Sequence, residues 1–485
     1  MNRLLVIAHV LGGLLMVFAA TFALPVVWSL AVDDGAHAGF VATGLGCLAA
    51  GALMWAATRR YRRELEPRDG ALLVVLGWLL MSLAASGPLL LEIPGISVTD
   101  ACFEAIAGLT TTGATVLSGI EHLPQSVNVW RHALQWYGGM GIIVMAVAIL
   151  PMLGVGGVQL FKAEMPGPMK ERKLTPRITQ TAKALWLIYI GLTAACVLAL
   201  RWAGLDWFES VCHAFSALAL GGFSTRDASV GGLESPTVEL VLCGFMMLAV
   251  LNFSTHFLAL RERSLRVYLR DVEARSVFVL ILGSSLVLGA WLYFGGQYAS
   301  FEEALRHAAF NTISVGTSTG FATQDYASWP VFAPLWMLFV ACVGSSAGST
   351  GGGIKMVRAL VLLKQTRREL NRLVHPRAIA PLTIGGHVVE NRVIFAVLGY
   401  MLLWGVTHIV LTFVMLATGL DFMSAFSVVV ASVNNLGPAL GQFGPTGNYA
   451  PLSDFQTWLL AIAMVAGRLE LLTFFVVLMP AFWRR

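Results

Sequence analysis

The sequence predicts an all-α polytopic membrane protein: four helix–pore helix–helix repeats around a single axis, preceded by two N-terminal helices. Composition is the first reason. Of 485 residues, 57% are hydrophobic and only 12% charged, with a mean hydropathy of +0.75. A water-soluble chain of this size could not bury so much apolar surface, so lipid is part of its solvent. The second reason is a repeat. Four times a short apolar segment runs into a turn of small or polar residues ending in glycine: Thr110-Thr111-Thr112-Gly113, Ala219-Leu220-Gly221-Gly222, Thr317-Ser318-Thr319-Gly320 and Asn434-Asn435-Leu436-Gly437. The third is length. The segments ahead of the turns, near 99–110, 206–218, 301–315 and 421–433, are too short to cross a bilayer and suit re-entrant helices.

Ten apolar stretches have spanning length, near 4–30, 38–58, 70–91, 129–153, 183–203, 236–260, 275–296, 331–363, 391–419 and 455–480. The first is read as a retained helix and not a signal peptide, because it is long and lacks a small-x-small cleavage site. The chain then divides into a two-helix unit at 1–69 and four pore repeats at 70–178, 179–271, 272–378 and 379–485. Each repeat reads as a spanning helix, a half-length helix, the turn, an extended stretch and a second spanning helix.

Charge location orients this arrangement. With alternating loops, one side holds 27 of the 32 Lys and Arg residues, while the other holds Arg131, Arg201, Arg226 and Arg306 and Arg468 falls inside a span. The positive-inside rule puts both termini in the cytoplasm. The opposite side carries Asp100, Glu104, Asp206, Glu209, Glu302, Glu303 and Asp421, acids that would enrich cations at a pore mouth or simply be solvated loop charges. The six cysteines are scattered and read as packing residues without a disulfide framework. The histidines are isolated from each other and from acids at ligand spacing, and no Ser-His-Asp order suggests an enzyme. Basic stretches flank spans, so topology explains them without nucleic acid.

Four turns at one structural position can ring an axis and offer backbone carbonyls in place of a cation's water shell. Non-helical backbone at membrane depth is tolerated only in protein or against water. Glycine at the end of each turn accepts left-handed dihedrals that side chains resist. Thr111, Thr112, Ser318 and Thr319 can add hydroxyl oxygens, while Ala219-Leu220 brings only backbone and Asn434 and Asn435 bring amides. Oxygen donors without a carboxylate cage suit a weakly held monovalent cation.

Two further features sit beneath this ring. The stretch 344–353, with Gly344, Gly348, Gly351, Gly352 and Gly353, interrupts the eighth span and is not followed by the Gly-Lys-Ser/Thr of a phosphate loop. It reads either as a flexible break or as a gate under the filter. Arg468, an intramembrane charge, would repel permeating cations or pin the glycine-rich segment through its donors, or else be a structural partner of Glu470 or of carbonyls. Glu470 is two positions on and so faces elsewhere on the helix.

With these residues in view, the chain resembles the TrkH-type subunits of the Trk/Ktr/HKT superfamily of potassium transporters. The likeness covers essentially the whole length. It rests on TTTGAT at 110–115, QWYGGMGIIVMAVAILP at 135–151, AEMPGP at 163–168, LTPRI at 174–178, GGFSTRD at 221–227, GSTGGGIK at 348–355, NNLGP at 434–438 and GRLE at 467–470. The resemblance implies four units around one pseudo-fourfold pore in the bacterial inner membrane, and homodimers in which each subunit keeps its own pore. It implies K+ as the permeant ion, no tightly bound organic cofactor on this chain, and a TrkA-like cytoplasmic ring that binds NAD, ATP or ADP and controls opening. That ring would dock on the basic loops 162–177, 261–275 and 355–377. The implied ion-coordinating positions are Thr111 and Thr112, Leu220 and Gly221, Ser318 and Thr319, and Asn435 and Leu436; the implied gate is segment 344–353 with Arg468. Sodium-preferring relatives tend to carry Ser where this chain has Gly113, so potassium is favoured.

Three other readings compete with a channel-like pore. A symporter coupled to protons or sodium favours inverted repeats and midplane acids, whereas these four units run in one direction through spans nearly free of acids. An intramembrane enzyme would need a nucleophile, base or metal set, and a scaffold gives the four costly turns no purpose.

Overall fold

The computed structural model describes residues 2–61, 65–144, 178–377 and 380–484. The basic stretch 162–177, the AEMPGP and most of the LTPRI motifs, and the tail of the fourth predicted span lie outside the described residues. Among those described, six helices are long and apolar enough to cross a membrane: Arg3–Val32, His37–Thr58, Arg68–Glu92, Ala182–Trp202, Val272–Phe294 and Asn391–Ala417. Their outer faces carry exposed Leu53, Leu187, Val279 and Phe413, the surface expected against lipid.

The first two of these helices precede the repeats and pack on the first. They cross where Gly12 and Gly51 meet, and a methyl on either would strike the other's carbonyl oxygen at 2.8 Å. Phe22 stacks at 4.5 Å on the buried Trp130 of Gln125–Val144, whose indole N–H donates to the Ala85 carbonyl at 3.0 Å. Asp34, in the connection between the two helices, accepts the Ser126 N–H and so caps that same helix.

Four half-length helices follow at the predicted places: Val98–Leu109, Trp207–Ala219, Phe301–Gly316 and Phe422–Val433. Each starts on a side-chain cap, from Ser97, Asp206, Ser300 and Asp421 respectively, which accepts a backbone N–H three residues on. Two of the supposed cation-enriching acids, Asp206 and Asp421, are therefore helix caps. The Ser424 hydroxyl and N–H hold the Asp421 carboxyl below the usual carboxylate range.

The helices that leave the turns differ from the sequence expectation. The spans expected at 236–260 and 455–480 are each broken, Pro236–Ala249 from Phe253–Glu262 by a 95° bend and Asp454–Arg468 from Leu471–Leu478 by 114°. At the first break Asn252 caps the new helix through the Ser254 N–H. At the second, Glu470 stands at φ 61° between the two helices, a positive dihedral that an α-helix cannot continue through. In the third repeat the break is longer. Phe332–Val343 stops, residues 344–355 are non-helical, and Met356–Val374 resumes as helix. A short ribbon, Thr383–Ile384 with His387–Val388, turns on Gly385-Gly386 ahead of the helix Asn391–Ala417.

Candidate ion pathway

All four half-length helices end in the same turn. In the first, Thr111 N–H donates to Gly108 O at 2.9 Å and Thr112 N–H to Ala107 O at 2.8 Å. The same pair of bonds recurs at Leu220 and Gly221, at Ser318 and Thr319, and at Asn435 and Leu436. This closure places one residue per turn in the left-handed region, and in every repeat that residue is not glycine: Thr111 at φ 53°, Leu220 at 54°, Ser318 at 60° and Asn435 at 52°. A helix that needed only to end would take glycine there. Each departure costs about 1–3 kcal/mol, and such strain gathers at functional sites. The sequence pointed to the glycines two positions on, which are also left-handed, but gave no sign of this second set.

The turns close on one another. A methyl on Gly113 would run into the Gly221 carbonyl, one on Gly222 into Thr319 O, one on Gly320 into Leu436 O, and one on Gly437 would lie 2.6 Å from Thr112 O. The contacts run from the first repeat to the second, third, fourth and back to the first, which is a ring. One pocket is lined by all four glycines together with Ala114, Thr115, Phe223, Ser224 and Pro438. It is the mouth of the ring on the side of the non-helical stretches that follow the turns.

The hydroxyls expected to face an ion are largely engaged elsewhere. Thr110 and Thr112 share a 2.7 Å hydrogen bond, as do Thr317 and Thr319, and Asn435 Nδ2 donates to Thr112 Oγ1 at 2.9 Å. Ser318 Oγ accepts the Gly352 N–H. The turns therefore offer backbone carbonyls together with the buried Thr111 hydroxyl and the Asn434 and Asn435 amide oxygens, which have no hydrogen-bond partner among the described residues. The Gly221 carbonyl is held by Gln135, whose Nε2 donates to it at 2.7 Å while Oε1 accepts from Ser216 Oγ and the Phe223 N–H. Gln135 has no sequence mark of this role, because a polar residue in a span does not show which backbone it holds.

Three acids on this side are committed to ion pairs. Buried Glu104 pairs with buried Arg131 at 2.7 Å, Glu209 with Arg226 at 2.9 Å, and Arg306 with Glu239 at 2.7 Å. The cation-enriching role considered for Glu104 and Glu209 gives way to ion pairing, since a buried carboxylate is stable only beside a partner.

On the opposite side of the ring lies the glycine-rich loop, buried over most of its length. Thr350 Oγ1 donates to Leu218 O at 3.0 Å, and methyls on Gly344 and Gly352 would collide with the carbonyls of Gly316 and Asn434. Gly351 sits beside Thr317 O and Leu220, while Gly348 packs on Asn252 and Gly353 on the Ala341 and Cys342 carbonyls. Arg468, buried at the last position of its helix, donates to Thr350 O at 2.8 Å and to Gly138 O at 3.2 Å. It does not pair with Glu470, which bonds Arg358 at 2.8 Å. Loop and arginine together touch the inner side of every repeat, because Gly138 itself abuts Leu109 O of the first.

The four turns thus form a ring of glycine-ended bends, with the buried loop and Arg468 packed against its other side. The family profile described as TrkH, cation transport protein, matches residues 36–484. The chain belongs to the TrkH family. Among relatives, the Trk system potassium uptake protein TrkH of Salmonella typhimurium (strain LT2) is 45% identical over 99% of both chains. That of Escherichia coli (strain K12) is 44% identical with the same coverage, and the TrkG protein of that organism is 35% identical over 99% of this chain and 98% of its own. The crystal structure of the potassium transporter TrkH from Vibrio parahaemolyticus superposes with a TM-score of 0.91 at 42% identity, covering 99% of this chain and all of that one. This is a family of polytopic transport proteins and not of enzymes.

Proposed function

We propose that the chain carries potassium across the bacterial inner membrane through a gated, channel-like pore whose selectivity filter is the ring of four turns. The ring closure at Gly113, Gly222, Gly320 and Gly437 carries this reading, because it turns four separate bends into one oxygen-lined passage. Carbonyls at Thr111, Thr112, Leu220, Gly221, Ser318, Thr319, Asn435 and Leu436 would replace water around the ion. The half-length helices aim their negative C-terminal ends at it. The names of the relatives support potassium as cargo, and Gly113 supports its preference over sodium.

The loop 344–353 and Arg468 form the gate. To conduct, the loop must leave the Leu218, Ser318 and Arg468 contacts that hold it under the ring. A TrkA-like nucleotide-binding ring, carrying NAD, ATP or ADP, is the regulator. It would act on the helix Met356–Val374, whose exposed Lys364, Arg367 and Arg372 continue directly from the loop, and on 261–275. Both termini lie in the cytoplasm, the four pore repeats are the units at 70–178, 179–271, 272–378 and 379–485, and the working form is a homodimer with one pore per subunit. Rubidium uptake into vesicles holding the purified chain tests the proposal. Uptake that potassium competes away and that the regulatory ring increases is expected; vesicles that stay impermeable with the ring and each nucleotide supplied would refute it.

A further inference from the structure

Behind the ring, each half-length helix reaches across to the stretch that follows its own turn. Nine positions ahead of the turn glycine stand Glu104, His213 and Asn311, all buried. Glu104 accepts the Val116 N–H at 3.1 Å and the Thr115 hydroxyl at 3.0 Å. His213 Nε2 meets Ser224 Oγ at 3.1 Å. Asn311 accepts the Thr323 N–H at 3.2 Å and donates to Thr323 Oγ1 at 3.0 Å. In the fourth repeat the equivalent residue is the apolar Val428, and the task passes to its neighbour Ser427, whose hydroxyl accepts the Leu440 N–H at 3.0 Å. Val116, Thr323 and Leu440 all stand three residues past the turn glycine. Three acceptors of different chemistry, a carboxylate, an amide and a hydroxyl, thus capture the same backbone N–H in three repeats, and an imidazole takes the adjacent hydroxyl in the second. Arg131 joins two of these sites, binding Glu104 and Thr115 of the first repeat and approaching Ser224 O of the second at 3.5 Å.

We propose that Glu104, His213, Asn311 and Ser427 are positioning residues that fix the width of the ring and thereby its preference among alkali ions. The inference rests on the reading of the four turns as the filter. On the size-based account of selectivity, a carbonyl cage favours the larger ion while it resists closing onto the smaller one. The turn is anchored at one end by its helix, and the brace anchors the other end by seizing the stretch just beyond the glycine. Releasing one brace lets that quarter of the cage contract, so sodium gains.

The test compares sodium-to-potassium permeability ratios, from reversal potentials across bilayers, for the unmodified full-length chain, Ser427→Ala, Ser427→Thr, Asn311→Leu and Gly113→Ser. Losing the hydrogen bond to the captured N–H is expected to raise the ratio about fivefold in Ser427→Ala and at least as much in Asn311→Leu, which also loses the bond to Thr323 Oγ1, while Ser427→Thr keeps the hydroxyl and the original ratio. Ser427→Ala removes a single oxygen, so it decides the matter if Asn311→Leu fails to fold. Variants that melt at lower temperature with an unmoved ratio would show a purely structural role and overturn the inference. If the ratio stays fixed in both brace variants but moves in Gly113→Ser, the bracing idea fails and the filter reading stands. If even the unmodified chain passes no alkali current, the filter reading fails first.

Discussion

Arg468 and Thr350 are joined by a 2.8 Å hydrogen bond from the buried guanidinium to a carbonyl of the glycine-rich loop. The arginine ends a helix of the fourth repeat and the threonine belongs to the third, and the same Thr350 side chain bonds Leu218 O of the second. One residue therefore ties the loop to both sides of the ring.

Removing that tie should favour the open state. Arg468→Ala deletes both charge-assisted bonds and the charge itself, each bond contributing about 1.5–3 kcal/mol. Basal rubidium uptake without a regulatory partner should rise about tenfold or more, read in vesicles of equal protein content. Uptake that is unchanged or lower would remove Arg468 from the gate.

Gly113→Ser bears on ion choice. Gly113 stands at φ 78° with the Gly221 carbonyl where its side chain would be, so a serine must displace that carbonyl. The expected result is a higher sodium-to-potassium permeability ratio, measured by bi-ionic reversal potential. An unmoved ratio counts against the assignment of this turn.

Gln135 offers a stability test. Gln135→Met keeps the length but leaves Ser216 Oγ, the Phe223 N–H and the Gly221 carbonyl without their amide partner. Buried groups left unsatisfied cost about 1–3 kcal/mol each. The variant should melt several degrees lower in detergent and lose rubidium uptake, whereas Ser216→Ala, which frees only one bond, should do less of both.

Arg358 and Glu470 link the helix beyond the loop to the bend beyond Arg468. The guanidinium is buried and lies 3.9 Å from the Tyr400 ring centre, while Glu470 is partly exposed. Glu470→Gln should destabilise the protein by about 2 kcal/mol, less than a fully buried pair because solvent reaches the carboxylate. Thermal unfolding checks this, and Arg358→Met combined with Glu470→Gln should recover part of the loss, since both charges of the pair are then removed together.

Much of this architecture is legible in the sequence. The half-length helices fall within a few residues of their predicted bounds, because apolar length and a closing turn are local signals. The turn glycines are equally visible, since no other residue fits their dihedrals and close carbonyl contacts. Thr111, Leu220, Ser318 and Asn435 were not legible as left-handed residues, because the pair of hydrogen bonds that closes each turn onto its own helix sets that dihedral, and three of the four residue types do not favour it. The bends at 250–252 and 469–470 were hidden for a related reason. Hydropathy averages over a window and continues through Asn252 and Glu470, whose side chains or dihedrals end the helix. Glu104 looked like a mouth charge because its partner, Arg131, lies 27 positions away in sequence.

The central claim is that the four turns hold a dehydrated alkali ion on their common axis. Crystals grown in rubidium, with anomalous scattering recorded at its absorption edge, measure this directly. The account predicts a rubidium peak between the carbonyls of Thr112, Gly221, Thr319 and Leu436, weakened when potassium replaces rubidium. An axis empty of rubidium in well-ordered crystals, with peaks confined to the surface, would contradict it.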